Sequence, residues 1–184
     1  MAAALGVLAA AALFFLWYAS LYTGDNLGTR YEWQSPPPEA PVNLAFGRPT
    51  RMSSHTPGYP YLYNSRHAVD GGRGIDSCFF TDLEEDPWWQ VDLQQVRRVG
   101  KILLYTGFGG ERFNASPLAV SISDDGRLWR QVHLGMPVPD KVLEIRLELP
   151  EKFRYLNIRA SGRCVLSLNE VEVYEPEVES VSGG

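Results

Sequence analysis

The sequence predicts an all-β domain, a sandwich or jelly roll, preceded by one N-terminal hydrophobic helix. Three observations carry this. Several short runs alternate apolar and polar residues, most clearly VLEIRLEL at Val142–Leu149, with its near-strict period of two. Turn signals separate the runs, above all Asp124-Asp125-Gly126 between two alternating stretches. Beyond the N-terminal segment no stretch sustains a helical period, and many short strands joined by turns indicate a sandwich or jelly roll.

The 184 residues suffice for one well-buried domain plus tails. Ala2–Tyr22 runs for 21 residues without a charge and includes Leu13, Phe14, Phe15, Leu16 and Trp17. About 20 apolar residues span a bilayer as a helix. The segment reads as an uncleaved anchor with Trp17, Tyr18 and Tyr22 at the interface, or as a signal peptide cut near Ala19 or Ser20. Its length and terminal aromatics favour the anchor. No Lys or Arg precedes it and Arg30 follows, which leans against placing the C-terminal domain outside. Residues 23–42, with Pro36-Pro37-Pro38, read as a stiff solvated linker, and 175–184 as a disordered acidic tail. The domain is 43–174.

Within it, Val99–Tyr105, Leu118–Ser123, Leu128–Leu134, Val142–Leu149, Phe153–Arg159 and Val165–Tyr174 read as strands. The block DPWWQVDL at Asp86–Leu93 adds a further strand, in which Trp88 and Trp89 read mainly as packing, one ring inward and one partly covered. A hydrophobic fraction of 45% and an aromatic fraction of 12% fit a packed β-rich core.

Composition also excludes functions. A net charge of -5, with basic residues scattered among acids, argues against a nucleic-acid partner. His55, His67 and His133 share no metal-ligand spacing. Gly107, Gly109 and Gly110 lack the Lys-Ser or helix start of a phosphate loop, and no Ser-His-Asp or Cys-His set has a persuasive context, so no enzyme is expected. Asn114-Ala115-Ser116 is a glycosylation sequon, followed by Pro117.

The order NLAFGRPTRMSS, AVDGG, DSCFFTDLEEDPWWQVDL, GERF and LSLNEVEVY resembles the discoidin-like galactose-binding superfamily, and within it the F-type lectin (fucolectin) branch. The resemblance implies an eight-stranded antiparallel jelly roll with binding loops at one end, outside the cell or in the secretory lumen. It implies a structural Ca2+ ion held by the side chains of Asp70, Ser77 and Glu170 and the carbonyls of His67, Gly72 and Asn169. The stretch from Gly72 to Ser77 is shorter than in the family, so either Asp76 supplies an extra oxygen or the site is lost. The family grips fucose with a histidine and two arginines. Here the histidine's position holds Phe80, the first arginine's holds Thr106 and its aspartate's holds Phe108. The platform of adjacent cysteines corresponds to Gly109 and Gly110, and only the second arginine remains, as Arg112. Each lost polar contact costs about 1–3 kcal/mol, so fucose is expected to bind weakly or not at all.

The resemblance also implies a disulfide from Cys78. Its usual partner position is Asn169, so pairing with Cys164 needs a shifted geometry; two separate thiols are the alternative, and would fit a cytosolic face. The expected function is a single-pass membrane recognition domain, or a secreted one, for a glycan or protein ligand. Its contact loops would carry Tyr59, Tyr61, Tyr63, Phe80 and Phe108, aromatic residues that bring large area at low entropy cost.

Overall fold

Two long strands, Trp88–Tyr105 and Val142–Ala160, pair antiparallel and form the spine of the domain. The computed structural model describes residues 41–55, 64–74, 77–106, 116–137 and 142–177. In chain order its elements are β1 (Thr50–Met52), a 3-10 turn (Ser65–Val69), β2 (Phe79–Phe80), β3 (Glu84–Glu85), β4 (Trp88–Tyr105) and β5 (Leu118–Ser123). There follow β6 (Arg130–Gly135), β7 (Val142–Ala160), β8 (Arg163–Cys164), β9 (Ser167–Leu168) and β10 (Glu170–Tyr174). A six-stranded sheet runs β1-β4-β7-β5-β6, with β10 also on β4; β2 pairs with β9 and β3 with β8.

The entrance to β4 shows how the sequence sets the register. Asp86 takes a positive φ of 49°, accepts from the Gly162 N–H through its carboxylate at 2.7 Å, and donates its own N–H to the Gly162 carbonyl at 3.0 Å. From this anchored turn the alternation sends Trp89, Val91 and Leu93 inward and leaves Trp88, Gln90 and Asp92 half-buried outside. Trp89 is fully buried, stacks on Phe79 at 6.1 Å between ring centroids, and donates its indole N–H to the Ser65 carbonyl at 2.9 Å. Burying one such side chain contributes about 1.5–3 kcal/mol. Both halves of the β4–β7 ladder feed one core: Trp89, Val91, Leu156 and Ile158 from one, Ile102, Leu104 and Ile145 from the other, joined by Val171 and Val173 of β10.

The architecture is antiparallel and β throughout, but the expected count of eight is not what the described residues show. They hold ten strand segments. DPWWQVDL and Val99–Tyr105, read as two strands, are one. Val142–Leu149 and Phe153–Arg159 likewise merge. Register shifts between Asp92/Arg97 and Val99/Lys101, with Gln94 at φ 68°, let the ladder bend without ending. Conversely, β2, β3, β8 and β9 have two residues each, too few for any periodicity. The hairpin at Asp124-Asp125-Gly126 forms: Gly126 has φ 73°, and Asp125 accepts from the N–H groups of Arg127 and Leu128 at 2.8 and 3.0 Å. These bonds hold its carboxyl below the usual range.

The disulfide does not form; Cys78 and Cys164 are thiols. The registers give the reason. Cys78 precedes Phe79, whose partner is Leu168, whereas Cys164 lies opposite Glu84 in a different ladder. The start of the expected tail is also engaged. Arg97 pairs with Glu175 at 2.8 Å and Lys101 with Glu177 at 3.3 Å, while a Cβ on Gly100 would come within 2.7 Å of the Pro176 Cα. The hydrophobic segment 2–22, the linker through residue 40 and the tail from 178 lie outside the described residues. Among the described residues no helix is long and apolar enough to cross a membrane.

Candidate functional site

The 3-10 turn delivers Asp70 to a tight loop. Asn64 caps it, its side chain accepting from the Arg66 N–H at 3.0 Å, and Asp70 closes it. Gly71 then takes φ 83°, where a Cβ would be strained. Gly72 has no room for one: a Cβ would lie 2.0 Å from Ser77 Oγ and 2.9 Å from Asp70 Oδ1. The two glycines let the chain fold tightly around the Asp70 carboxylate. That carboxylate accepts from Ser77 Oγ at 2.6 Å and from the Gly72 N–H at 2.8 Å, and its other oxygen lies 3.1 Å from His67 Nδ1.

From the opposite side β10 contributes Glu170. Along β10, Val171 and Val173 join the core while Glu170 and Glu172 are buried as well, so the strand is covered on both faces. The two glutamates have different surroundings. Glu172 is ion-paired with Arg73 and accepts from the hydroxyls of Tyr105 at 3.1 Å and Tyr174 at 2.9 Å; Arg73 also lies over the Tyr105 ring at 4.3 Å. Burial pushes both tyrosine hydroxyls up, Tyr105 to about 12. Glu170 receives only the Gly71 N–H on Oε2, at 3.2 Å, and its Oε1 is buried with no partner among the described residues. Burial first, then the Asp70 charge, pushes its carboxyl up to about 8. Asn169 donates to the carbonyls of Arg73 and Gly74, at 3.1 and 2.9 Å, and its Oδ1 is likewise buried without a partner.

Two carboxyl groups thus interact at close quarters, and the buried Glu170 Oε1 has no donor among the described residues. Such a group is costly unless something positive meets it. The structure therefore brings together the side chains of Asp70, Ser77 and Glu170, with His67 in the 3-10 turn, Gly72 in the loop after it and Asn169 just before β10. Among the described residues no three His, Cys, Asp or Glu side chains cluster as a metal site. Two carboxyl groups and a hydroxyl are oxygen donors of the kind a hard cation takes, and the partnerless Glu170 Oε1 fits such a group. Asp76 lies outside the described residues.

The loop-end ligand residues are only partly placed. Phe80 is half-buried on β2 opposite Ser167, two residues ahead of Asn169 in the chain, and Thr106 is buried just after β4. The rim position of Phe80 and the acidic site therefore share the β9–β10 segment. Phe108, Arg112, Asn114, Tyr59, Tyr61 and Tyr63, with the glycines at 107, 109 and 110, lie outside the described residues.

Sequence reasoning passed over two groupings. One is Arg73 with Glu172, Tyr105 and Tyr174; only the excess of acids in EVEVY hinted at it. The other is a cavity of about 420 Å³ on the outer sheet face, lined by Trp88, Gln90, Ser121, Gly126, Trp129, Asn157 and Arg159. Its signal was the outward alternation of WWQ and NIR, legible only once β4 and β7 are paired.

Comparison with known proteins bears on this geometry. The family described as NedA-like, galactose-binding domain matches residues 67–158, half of the chain. Fucolectin-5 of Anguilla japonica is 28% identical over 137 residues, covering 69% of this chain and 72% of that protein. Among solved structures, the lectin domain of lectinolysin, complexed with Lewis B antigen, superposes with a TM-score of 0.65 and 27% identity, covering 74% of this chain and 98% of that one. A Streptococcus pneumoniae fucose binding module matches with a TM-score of 0.65 and 28% identity, over 74% of this chain and 99% of that one. A fucolectin from Morone saxatilis (striped bass) serum gives 0.65 and 26%, over 75% of this chain and 48% of that one.

Proposed function

The chain belongs to the NedA-like galactose-binding domain family, and on that footing we propose that it is a non-enzymatic carbohydrate-recognition domain carrying a structural calcium ion. One observation carries the reading. Solved neighbours that are more than a quarter identical to it in the aligned part, which covers about three-quarters of the chain, are carbohydrate-binding modules by name. The calcium ion would be held by Asp70, Ser77 and Glu170, with carbonyls of His67, Gly72 and Asn169 completing the shell. Its role is positive charge: it would meet the two carboxylates and tie the loop after the 3-10 turn to β10. The chain's own part is the preset geometry, with Gly71 and Gly72 folding the loop and the Ser77 hydroxyl orienting Asp70.

The ligand on this reading is a glycan other than fucose. Phe80 and Thr106 stand where the fucose-binding relatives of this branch place a histidine and an arginine, and Arg112 alone remains of the polar grip. Phe80, Phe108 and Arg112 are the contact residues we assign to the loop end. The apolar side chains of Phe80 and Phe108 favour a second reading, an adaptor domain that binds protein at this rim. The segment 2–22 would anchor the domain to a membrane as a single pass, with the domain on the extracellular or lumenal side, or would direct its secretion. Asn114 would be the glycosylated position.

A glycan array probed with the full chain tests the reading, once in calcium buffer and once in chelator. Binding to non-fucosylated glycans, part of which fades in chelator, is the expected result. Micromolar binding to fucose would sink the degenerate-site assignment, and a blank array in calcium would leave the adaptor reading in its place.

A further inference from the structure

The outer face of the β4–β7–β5–β6 sheet carries a cavity distant in the fold from the acidic loop. The registers place Gln90 of β4 opposite Asn157 of β7, and Asn157 opposite Ser121 of β5. Neighbouring strands lie about 4.8 Å apart, so these three polar side chains stand in one row roughly 10 Å long. The adjoining row begins with Trp88 opposite Arg159. Trp129 leads into β6, on the far side of β7 and β5 from Trp88, and Gly126 in the hairpin also lines the cleft. All seven residues line a cavity of about 420 Å³, within the usual range for ligand sites, about 300–1,000 Å³.

Polar residues on an outer sheet face ordinarily only meet water. Two features set this face apart: it is concave, and it presents a large aromatic ring on either flank, with Trp129 38% exposed. The chemistry is narrow as well. Gln90 and Asn157 each offer a carbonyl oxygen and an NH2 group, Ser121 both donates and accepts, and the only charge in the lining is Arg159. That guanidinium already gives Nη1 to the Asp86 carbonyl at 3.3 Å. The nearby carboxylate of Asp92 is held by Arg154 through two bonds of 2.7 Å, which keeps its charge out of the face. Planar amides match vicinal hydroxyls, and indole faces match the C–H face of a sugar ring.

We propose that this cleft is a second saccharide site, taking a neutral disaccharide-sized ligand, with Gln90, Asn157 and Ser121 bonding its hydroxyls and Trp88 and Trp129 packing against its rings. It differs from the loop-end site in every residue and needs no calcium ligand.

Calorimetry on the full chain, held in a detergent without a sugar headgroup, tests it with lactose, cellobiose and chitobiose in chelator. At least one of the three binds, and Asn157→Ala and Trp129→Ala each weaken it by about tenfold or more while thermal midpoints stay put. Gln90→Ala serves as a second variant should either fail to fold. Binding that survives the cleft variants but is lost in Phe80→Ala assigns the sugar to the loop end and overturns the cleft. Binding of none of the three also overturns it, and leaves the loop-end reading to the array.

Discussion

Glu170 is the residue on which the calcium reading turns. Its carboxyl sits at about 8 rather than the ordinary 4.5, because it is buried and then because it faces Asp70. A raised carboxyl contributes fully to stability below the unfolded value and loses that contribution as pH rises through the folded one. In chelator, therefore, thermal stability should fall between pH 4.5 and about 8. Calcium should flatten the slope, because it pairs the ionised form. Glu170→Gln should raise the chelated protein's melting point at pH 8 and abolish its stabilisation by calcium; melting curves at several pH values check both. Gly72→Ala is the steric counterpart. Its Cβ would fall on Ser77 Oγ, so it should cost about 1–3 kcal/mol and weaken calcium binding together. At this scale the resemblance carried by AVDGG, DSC and NEVEVY named Asp70, Ser77 and Glu170, and the fold brings these three side chains together. The contrast between Glu170 and Glu172 was not legible in the sequence, since it depends on Arg73, Tyr105 and Tyr174 arriving from distant segments. Neither was the fate of the cysteines, which depends on which two-residue ladder each joins.

Among the elements, β4 and β7 decide the fold, and the adjacent tryptophans of β4 make the point measurable. Trp89→Ala should destabilise the domain by about 3–5 kcal/mol, since the ring is fully buried and its indole N–H is bonded to Ser65. Trp88→Ala, on the half-buried outer face, should cost far less; denaturant unfolding of both variants gives the comparison. Asp92→Ala removes the bidentate acceptor of Arg154, which now holds the Asp92 carboxyl below its usual range. Solvent screens both groups, so only a small loss of stability is expected from the same assay. Periodicity found Leu118–Ser123 to the residue, because one face of β5 packs on the core and the other does not. It split β4 and β7 because a bulge interrupts alternation without ending the pairing. It missed β2, β3, β8 and β9 because two residues have no period.

For the whole molecule, the galactose-binding-like scaffold was readable from sequence because its strongest signals, the DPWW entrance and the buried EVEVY strand, are also its main packing elements. The ligand was harder to read, because specificity resides in loops, and loops carry little periodic signal. On the proposed reading, Phe80 and Thr106 replace part of a polar grip while the scaffold is kept, as a carbohydrate module of altered specificity would require. Calcium, on this account, serves the shape of the loop end rather than any reaction, so its removal should reduce binding and melting temperature together. The central claim, recognition of glycans other than fucose, is most directly tested by calorimetric titration of the full chain in calcium buffer, with fucose and with the strongest non-fucosylated glycan from the array. The account predicts measurable binding of the second and none of the first at micromolar concentration. Micromolar binding of fucose, or heat from neither sugar, would contradict it.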